Sequence, residues 1–405
     1  MNFADKQREF GFEVRDRLAN AQGRTGVITT PHGEIQTPAF IPVGTRATLK
    51  SLTPEQLVVT GAQAVLANAY HLNLRPGPKI IDAAGGLGSF MHWDKPTFTD
   101  SGGFQVMSLG VGYKKVIDMT GGSDEKPLSK KDRLAWIDND GVRFKSHLDG
   151  SMHRFTPEIS LQIQHELGAD IIFSFDELTT LHDPYDYQIE SLEQRTHPWA
   201  ERSLVAHQRL TQERANKPYQ ALYGVIQGAH FEDLRRKSAT FVGQLDFDGF
   251  GLGGALTKDG MGEIVRWMSE ELPENKPRHM LGISEPDDIF ACIENGADTF
   301  DCVSPARVGR NGALYTRHGR VNIMNAKFRD DFQSFDETCD CYTCQNYSRA
   351  YLHHLYRSGE LLSNTLGTIH NERFIVKLVD DIRESIGNGT FYDFKQDFLN
   401  SYYAM

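Results

Sequence analysis

Cysteine is scarce in this 405-residue chain, which contains only five. Two of the five stand alone, so a disulfide framework of the kind found in small secreted proteins is not expected. The chain also lacks any run of about 18 uninterrupted apolar residues, and its N-terminal segment has no apolar stretch of the signal-peptide kind. These absences predict a cytoplasmic protein that is not exported and does not span a membrane.

Positive charge is also in short supply, because the formal net charge at pH 7 is −11. This argues against a general nucleic-acid coat protein, which binds through summed positive charge. The exception is a basic strip, residues 305–329, which carries five arginines, one lysine and no acidic residue. We interpret the basic strip as a docking place for a polyanion, with a merely solvated basic surface as the alternative.

Two common enzyme signatures are missing. No Gly-x-Gly-x-x-Gly follows the first predicted strand, as a dinucleotide-binding fold would require, and there is no His-x-His of the kind that barrel metallohydrolases use. Short apolar runs instead alternate with amphipathic segments between about residues 25 and 325, which is typical of β/α units. The count is close to eight and predicts an α/β fold, a (β/α)8 TIM barrel, with an open parallel sheet as the alternative. The predicted strands are residues 64–67, 97–99, 170–175, 221–226, 249–252, 278–281 and 297–300, with a hairpin-like region at 26–44.

The alternation is interrupted once and then ends. Residues 110–137 are rich in glycine and charge, and we predict an insertion there that forms a surface loop or short helix. We therefore predict a catalytic barrel over residues 1–325 and a zinc-binding, helical C-terminal subdomain over 326–405, with helices near 347–358 and 375–386.

The remaining cysteines form a Cys-x-Cys-x2-Cys pattern made of Cys339, Cys341 and Cys344. Three thiolates and one imidazole fill the four tetrahedral positions of Zn²⁺ and leave none for water or substrate, so such a zinc would be structural. From this chemistry alone His353, His354 and His370 compete for the fourth position. A disulfide between Cys339 and Cys344 is the alternative.

Polar residues follow several predicted strands directly. A barrel enzyme builds its active site at the carboxyl ends of its strands, so these side chains are expected to meet in one pocket. The residues are Asp100, Asp176, Gln227, Gly253, Gly254 and Asp301, and Leu281 ends a further strand of the same predicted pocket. For Asp176 a helix N-cap is the alternative.

The segment from Asp100 to Phe104 suits a substrate pocket. Gly102 and Gly103 let the backbone approach a ligand closely, Ser101 adds a hydroxyl, and the Phe104 ring can stack on a base. The alternative is an ordinary Asx or Ser turn.

Two carboxylates on one rim are what a double displacement at a sugar anomeric carbon requires. One attacks C1′ and forms a covalent glycosyl-enzyme, while the other moves protons on the leaving or incoming group. Asp301 is followed by Arg307 and Arg310, which suit phosphate or base contacts. Asp176 and Gln227, with peptide N–H groups near Gly254, can read the polar edge of a purine.

The chain resembles the bacterial-type tRNA-guanine transglycosylases, in order and over nearly its whole length, in the segments TFTDSGGFQVMSL, FKSHLDGS, SFDE, YGVIQG, GFGLGG, FDCVSPARVGRNG and CDCYTCQNYSRAYLHHLYRSGE followed by TIHN. The resemblance implies a (β/α)8 barrel with a zinc subdomain, usually in a homodimer. It also implies exchange of guanine at the tRNA anticodon wobble position for a free 7-deazaguanine base, in queuosine modification. One structural zinc per subunit is implied, and neither ATP nor a free cofactor.

The resemblance also assigns roles to residues. Asp301 would be the nucleophile on ribose C1′, and Asp100 the general acid/base that handles the ring nitrogen of the base. The substrate site would comprise Asn68, Ser101, Gly102, Gly103, Phe104, Asp176, Gln227, Gly254 and Leu281. The tRNA anticodon would meet Ala306, Arg307, Val308, Gly309 and Arg310. The zinc ligands would be Cys339, Cys341, Cys344 and His370.

The chain departs from the common pattern at three places. Leu178 replaces a cysteine, and residues 255–259 read Ala-Leu-Thr-Lys-Asp instead of Leu-Ala-Val-Gly-Glu. Both line the side of the pocket that would meet the 7-substituent, so we rank the incoming base as the prequeuine aminomethyl base, then queuine, then the cyano precursor. Glu285 stands where a lysine is usual in the anticodon-binding loop.

Two other functions stay open. A retaining glycosidase or nucleoside hydrolase would use the same carboxylates with water as acceptor, but the basic strip and the zinc pattern count against it. A catalytically silent tRNA-binding partner subunit would be expected to lack the carboxylates, yet Asp100, Asp176 and Asp301 are all present.

Overall fold

The computed structural model describes residues 10–111, 134–254, 256, 258 and 260–404. Its strands are β1 (Gly11–Arg17), β2 (Arg24–Thr30), β3 (Gly33–Thr37), β4 (Ala39–Pro42), β5 (Val65–Ala67), β6 (Thr97–Thr99), β7 (Ala135–Asp138), β8 (Gly141–Lys145), β9 (Met152–Phe155), β10 (Ile171–Phe173), β11 (Ala221–Ile226), β12 (Gly249–Leu252), β13 (Arg278–Met280), β14 (Thr299–Cys302), β15 (Ala313–Thr316) and β16 (Gly319–Asn322). Its α-helices are α1 (Pro54–Val59), α2 (Ala69–Leu74), α3 (Pro78–Ala83), α4 (Leu87–Met91), α5 (Gly103–Val111), α6 (Pro157–Leu167), α7 (Tyr185–Ser191), α8 (His197–Glu213), α9 (Glu232–Gly243), α10 (Met261–Glu271), α11 (Pro286–Glu294), α12 (Ser304–Arg310), α13 (Tyr342–Asn346), α14 (Arg349–Ser358), α15 (Leu361–Gly387) and α16 (Phe391–Tyr402).

Eight parallel strands form a barrel at the centre. Hydrogen-bonded neighbours follow the order β4-β14-β13-β12-β11-β10-β6-β5. The ring closes because the N–H of Gly44, just after β4, donates to the carbonyl of Leu66 in β5 at 2.7 Å. A parallel bridge between Val43 and Leu66 lies beside this bond. The predicted (β/α)8 barrel is confirmed.

Side chains alternate between the inside and the outside of the barrel, as the period of a strand requires. Phe98, Phe173 and Tyr223 point inward, and the rings of Phe173 and Tyr223 lie 5.6 Å apart. Ile172 and Leu222, next to them in sequence, pack outward in the cluster shared with the helices. The interior of the barrel is therefore filled by side chains, and a ligand can bind only at the rim.

The amino ends of the barrel strands are covered by the antiparallel sheet β1-β2-β3. Ile28 and Ile35 from this sheet join the interior cluster of the barrel. The buried Arg24 donates to both carboxylate oxygens of Asp298, at 2.9 and 2.7 Å. With this end closed, the functional rim is the opposite one, where the loops after the strands begin.

The insertion differs in part from its prediction. Residues 135–155 form a three-stranded antiparallel sheet, β7-β8-β9, where the sequence suggested a loop or short helix up to residue 137. Val142, Phe144 and Phe155 are buried on the inner face of this sheet, which supplies the stabilising contacts. Charged residues interrupt the apolar and polar alternation of these short strands, so the sequence pattern does not reveal them. Residues 112–133 lie outside the described residues.

The C-terminal part combines the hairpin β15-β16 with α13 to α16. It has its own hydrophobic cluster, which includes Leu314, Phe328, Phe335 and Leu352. The predicted helix at 347–358 is α14, and the predicted helix at 375–386 is the second half of the much longer α15. The division at residue 325 stays a prediction. In the part of the chain that the structure describes, no helix is long and apolar enough to cross a bilayer.

Candidate active site

Asp100 lies half-buried at the carboxyl end of β6 and is held by three donors. Its Oδ1 accepts from the N–H of Ala69 at 2.9 Å and of Gly102 at 3.2 Å, and the Asn68 side-chain amide donates to its Oδ2. The pKa of Asp100 is raised to about 7, chiefly by burial and also by the charge of Asp301, while the three hydrogen bonds oppose this rise. This carboxyl can therefore hold or release a proton near neutral pH.

The turn that follows Asp100 shapes the pocket. The bond from Gly102 to Asp100 is an Asx-turn bond, and the N–H of Gly103 donates to Ser101 Oγ at 3.2 Å. Gly102 has a φ of +78°, and a Cβ there would lie 2.7 Å from a ring carbon of Phe155. The turn interpretation is therefore confirmed, and the substrate-pocket interpretation of this segment stays a prediction.

Asn68 has two tasks at the amino end of α2. Its Oδ1 caps the helix by accepting from the N–H of His71 at 3.0 Å. This bond fixes the amide plane, so the Nδ2 group is left to donate to Asp100. The structure therefore places Asn68 as the residue that orients one carboxylate.

Asp301 lies on β14 and is 9% exposed. Its Oδ1 accepts from the N–H of Gly282 at 3.0 Å and lies 3.2 Å from Nε2 of the fully buried His279. His279 is itself oriented by Thr299, whose Oγ1 lies 2.9 Å from Nδ1. Within the described residues, Oδ2 of Asp301 has no hydrogen-bond partner. One oxygen is therefore held, and the other is left for an electrophile.

Asp176 and Gln227 form a buried pair at two neighbouring strand ends. The Gln227 side-chain amide donates to Asp176 Oδ2 at 2.6 Å. The pKa of Asp176 is raised to about 6, chiefly by burial and also by the charge of the adjacent Glu177, while the hydrogen bond from Gln227 opposes this rise. The N-cap alternative for Asp176 is wrong, because the next helix begins only at Tyr185.

The other predicted pocket residues lie around this pair. A Cβ on Gly253 would lie 3.2 Å from the amide nitrogen of Gln227 and 3.3 Å from a methyl of Leu281, so the three groups adjoin. Ser101 is buried, and a Cβ on Gly103 would lie 3.2 Å from its hydroxyl and 3.6 Å from Asp176 Oδ1. Phe104 is half-buried at the second residue of α5. The structure thus brings the two glycine segments together beside Asp176 and Gln227.

Some groups at the site were missed by the sequence analysis. His279 and the N–H of Gly282 hold Asp301, and the N–H of Ala69 holds Asp100. A histidine in the middle of a predicted strand was a usable signal for His279, since period-two alternation can turn it inward next to Asp301. The backbone donors carry no sequence signal.

The arginine-bearing helix α12 begins three residues after Asp301. Arg307 is exposed, and Val308 and Arg310 are half-buried. Ala306 and Gly309 are buried, and a Cβ on Gly309 would lie 2.8 Å from the Gly367 carbonyl of α15. Any contact of α12 with RNA would therefore run chiefly through its two arginines.

Half of the remaining basic strip is already paired. Arg317 forms an ion pair with Asp397 at 2.5 Å. Arg320 forms an ion pair with Glu285 and lies over the Tyr315 ring. Glu285, the residue that departs from the common family pattern, thus neutralises an arginine of the same strip.

Cys339, Cys341, Cys344 and His370 form a cluster that could hold a metal ion. Nδ1 of His370 lies 3.7, 3.4 and 3.3 Å from the three sulfurs in that order. Tetrahedral Zn²⁺ would separate such ligand atoms by about 3.6 Å. On the far side of the ring, Nε2 donates to the carbonyl of Tyr315 at 2.7 Å, which presents Nδ1 to the sulfurs.

The alternatives for this cluster are wrong. His353 lies 2.9 Å from the carbonyl of Ile323 and His354 lies 3.4 Å from Ser358 Oγ, both outside the cluster. Cys339 and Cys344 are free rather than disulfide-bonded.

Comparison with known proteins gives a single answer. Residues 19–404 match the queuine tRNA-ribosyltransferase family. A queuine tRNA-ribosyltransferase of Caldanaerobacter subterraneus is 44% identical over 396 residues, covering 97% of this chain and 98% of the relative. Those of Roseiflexus and Staphylococcus aureus are 47% and 45% identical, covering 96% and 94% of this chain and 98% and 93% of the relatives. The chain therefore belongs to the queuine tRNA-ribosyltransferase family.

Proposed function

We propose that this protein exchanges guanine at the anticodon wobble position of tRNA for a 7-deazaguanine, by double displacement through a covalent ribosyl-enzyme. The observation that carries the mechanism is the asymmetry of Asp301, whose Oδ1 is held by Gly282 and His279 while Oδ2 has no partner among the described residues. Asp100, with its pKa raised to about 7, supplies the proton carrier.

In the first displacement Oδ2 of Asp301 forms a bond to ribose C1′, and the bond from C1′ to the ring nitrogen of guanine breaks. The bonding electrons go to that nitrogen, and protonated Asp100 gives it a proton, so guanine leaves as a neutral molecule. The hydrogen bonds to Oδ1 hold the carboxylate plane during attack.

In the second displacement the incoming base loses its ring N–H proton to Asp100, and the freed nitrogen attacks C1′. The ester bond breaks and returns its electrons to Asp301. Two inversions at C1′ restore the original configuration. The ester keeps the energy of the glycosidic bond, so no ATP is needed.

Recognition of the base is proposed for Asp176, Gln227 and Gly254. An ionised Asp176 accepts hydrogen bonds from the N–H groups on the polar edge of the base. The N–H of Gly254 donates to the carbonyl oxygen of the base. The pairing of Gln227 with Asp176 supports this role, because it keeps the carboxylate turned into the pocket without a counter-charge.

We propose the prequeuine aminomethyl base as the incoming base, ahead of queuine and the cyano precursor. Leu178 is half-buried and packs on the main hydrophobic cluster, and Lys258 lies 3.5 Å from Asp287. The lysine charge is thus partly neutralised before any ammonium of the substrate arrives. Ala255, Thr257 and Asp259 lie outside the described residues.

The direct test is incorporation of labelled guanine into unmodified tRNA. We expect label to enter tRNA and to be displaced by the three 7-deazaguanines, with the aminomethyl base as the strongest competitor. Release of guanine without incorporation would instead support a hydrolase, and tRNA binding with no label would support the silent partner subunit.

Docking of tRNA is proposed at α12, and Arg310→Ala tests it. We expect weaker tRNA binding and a decrease of about one in the slope of log affinity against log salt, because one phosphate contact is lost. Arg320→Ala is the matched control, since Glu285 already neutralises that charge, and its slope should change less. Equal slopes for wild type and Arg310→Ala would remove Arg310 from the phosphate contacts.

We propose that the metal of the cysteine cluster is zinc and that it stabilises the C-terminal subdomain. The residues fit, because three thiolates and one imidazole fill a tetrahedral site with the fourth ligand oriented by Tyr315. The cluster is also linked to the proposed tRNA-docking helix α12. Asn371, next to His370, donates at 3.0 Å to the carbonyl of Pro305 in α12, so the metal site helps to position that helix.

Removal of the metal is expected to loosen this subdomain. Zinc chelation, or Cys344→Ser, should lower the thermal midpoint by several degrees or more, since structural zinc contributes binding energy directly to folding. Metal content and tRNA affinity are measured on the same samples, with Cys292→Ser as the control for thiol loss outside the cluster. Complete zinc loss with unchanged unfolding and tRNA binding would contradict a structural metal.

We also propose a homodimer, as the family resemblance implies. An exposed aromatic group supports it: Tyr342 and Tyr351 are 43% and 40% exposed, and the Tyr351 ring stacks on Tyr347 at 5.6 Å. The molar mass in solution measures the oligomeric state directly.

A further inference from the structure

Arg235 is a fully buried arginine on α9 with no acidic partner among the described residues. Its guanidinium instead donates to backbone carbonyls from two neighbouring strand ends. Nε donates to Ala229 at 2.7 Å, and Nη1 donates to Gly253 at 2.6 Å and to Ile226 at 3.3 Å. A buried charge without a counter-charge is unfavourable, so these carbonyls are what keeps it in place.

The bond to Gly253 fixes the orientation of one peptide group. In a planar trans peptide the C=O and the next N–H point in opposite directions. Since Arg235 draws the Gly253 carbonyl outward toward α9, the N–H of Gly254 must face the opposite way, toward the pocket. Gly254 is half-buried, and its N–H makes no hydrogen bond to any described residue.

The space beneath Gly254 is filled by two polar groups. A Cβ on Gly254 would lie 2.7 Å from Arg235 Nη2 and 2.6 Å from Gln227 Oε1, and the backbone there has a φ of +107°. Both atoms are buried without a hydrogen-bond partner among the described residues. Arg235 and Gln227 therefore lie directly against the α-carbon of Gly254, and glycine is the residue that fits.

We propose that Arg235 is a positioning residue for base recognition: it holds the Gly253 carbonyl outward so that the N–H of Gly254 points into the pocket as a donor to the 6-oxo group of the base. The proposal rests on the proposed function. A planar guanidinium can hold carbonyls of both loops at once, which the single ammonium of lysine cannot do in the same geometry. The loop after β11 and the loop after β12 are thereby coupled.

The test compares Arg235→Lys with a matched control, Arg278→Lys. Arg278 is also buried and also donates to carbonyls, with Gly296 at 3.3 Å and Leu272 at 3.4 Å, but it lies at the amino end of β13, away from the pocket. We expect Arg235→Lys to raise KM for guanine about five- to tenfold, the scale of one hydrogen bond, with KM for tRNA unchanged within about twofold.

A second readout separates positioning from mere loss of stability. Guanine is compared with 6-thioguanine, in which a weakly accepting sulfur replaces the 6-oxo oxygen. Wild type and Arg278→Lys should favour guanine by the same factor, whereas Arg235→Lys should shrink that factor toward one. Arg235→Met, if it folds, should show the same change. Gly254→Ala keeps the buried charge of Arg235, but its Cβ would press on Arg235 and Gln227 and displace the Gly254 N–H. It should also shrink the preference for guanine.

The outcomes are distinguishable from failure of the function itself. A wild type that incorporates no labelled guanine contradicts the proposed function. A wild type that exchanges guanine, together with an Arg235→Lys protein whose guanine KM and 6-thioguanine ratio are unchanged, overturns the role of Arg235. Equal shifts in Arg235→Lys and Arg278→Lys also overturn it, because they show a general effect of losing a buried arginine.

Discussion

Replacing Asp301 by asparagine is expected to lower the rate of base exchange by about 10⁴-fold or more, the scale typical of losing a covalent nucleophile. Asparagine keeps the shape of the side chain and can still accept from the N–H of Gly282. Its amide oxygen is a weak nucleophile, so no ester to ribose C1′ should form. The measurements are the rate of labelled guanine incorporation and the denaturation-resistant adduct between protein and labelled tRNA.

The control for Asp301→Asn is tRNA affinity, which should stay within about threefold because the arginines of α12 are untouched. Asp381→Asn, at an acid of α15 that pairs with Lys377, controls for the loss of one negative charge. If the covalent adduct persists in Asp301→Asn, the nucleophile is another carboxylate of the pocket, and Asp100 becomes the first candidate.

Replacing Asp100 by asparagine is expected to slow exchange by about 10²- to 10⁴-fold, the range for a positioned general acid or base. The first displacement needs protonated Asp100, whose pKa burial raises to about 7. Formation of the ribosyl-enzyme should therefore slow by about tenfold per pH unit above pH 7 in the wild type. The same step in Asp100→Asn should be slow and nearly independent of pH.

The raised pKa of Asp100 also predicts how stability depends on pH. Folding disfavours the charged form, so the contribution of Asp100 is fully present below its unfolded pKa and is lost as pH rises through about 7. Asparagine cannot ionise, so the thermal midpoint of Asp100→Asn relative to wild type should be higher near pH 8 than near pH 5. An equal difference at both values, with a wild-type rate flat across pH 7, would contradict a proton-carrying Asp100.

The barrel could be predicted from the sequence because its strands and helices are set by patterns of neighbouring residues. Apolar runs alternating with amphipathic helices set the β/α repeat, and local capping sets helix ends, as where the Thr156 side chain accepts from the N–H of Ile159 at the start of α6. Strand ends could be located to within about two residues, and in a parallel barrel this suffices to place Asp100, Asp176 and Asp301 on one rim.

The rest of the site depends on distances in space. His279 and Gly282 hold Asp301 from the neighbouring strand end, and Arg235 reaches Gly253 from a helix behind it. These contacts join residues about 20 apart in sequence. The contacts of Gly282 and Gly253 use backbone atoms, which no residue pattern reveals. The raised pKa of Asp100 likewise follows from burial and from the charge of Asp301.

The basic strip is a second case in which the sequence alone does not show the contacts made in the fold. Arg320 is one of the positive residues of the strip by sequence, but the fold pairs it with Glu285 from the loop after β13. Net charge of a segment is a property of sequence, but free charge depends on which acids the fold brings alongside. Arg307 and Arg310 form no ion pair with any described residue, so they are the better estimate of the free charge that tRNA would contact.

The most direct test of the central claim is the chemical identity of the bond between protein and tRNA. Wild-type protein is mixed with unmodified tRNA without free base, quenched in acid and digested with protease and nuclease, and the modified peptide is sequenced by mass spectrometry. We predict a ribosyl ester on Asp301, which free guanine or a 7-deazaguanine added before the quench should discharge. An ester on Asp100 or Asp176, or exchange without any ribosyl-peptide, would contradict double displacement through Asp301.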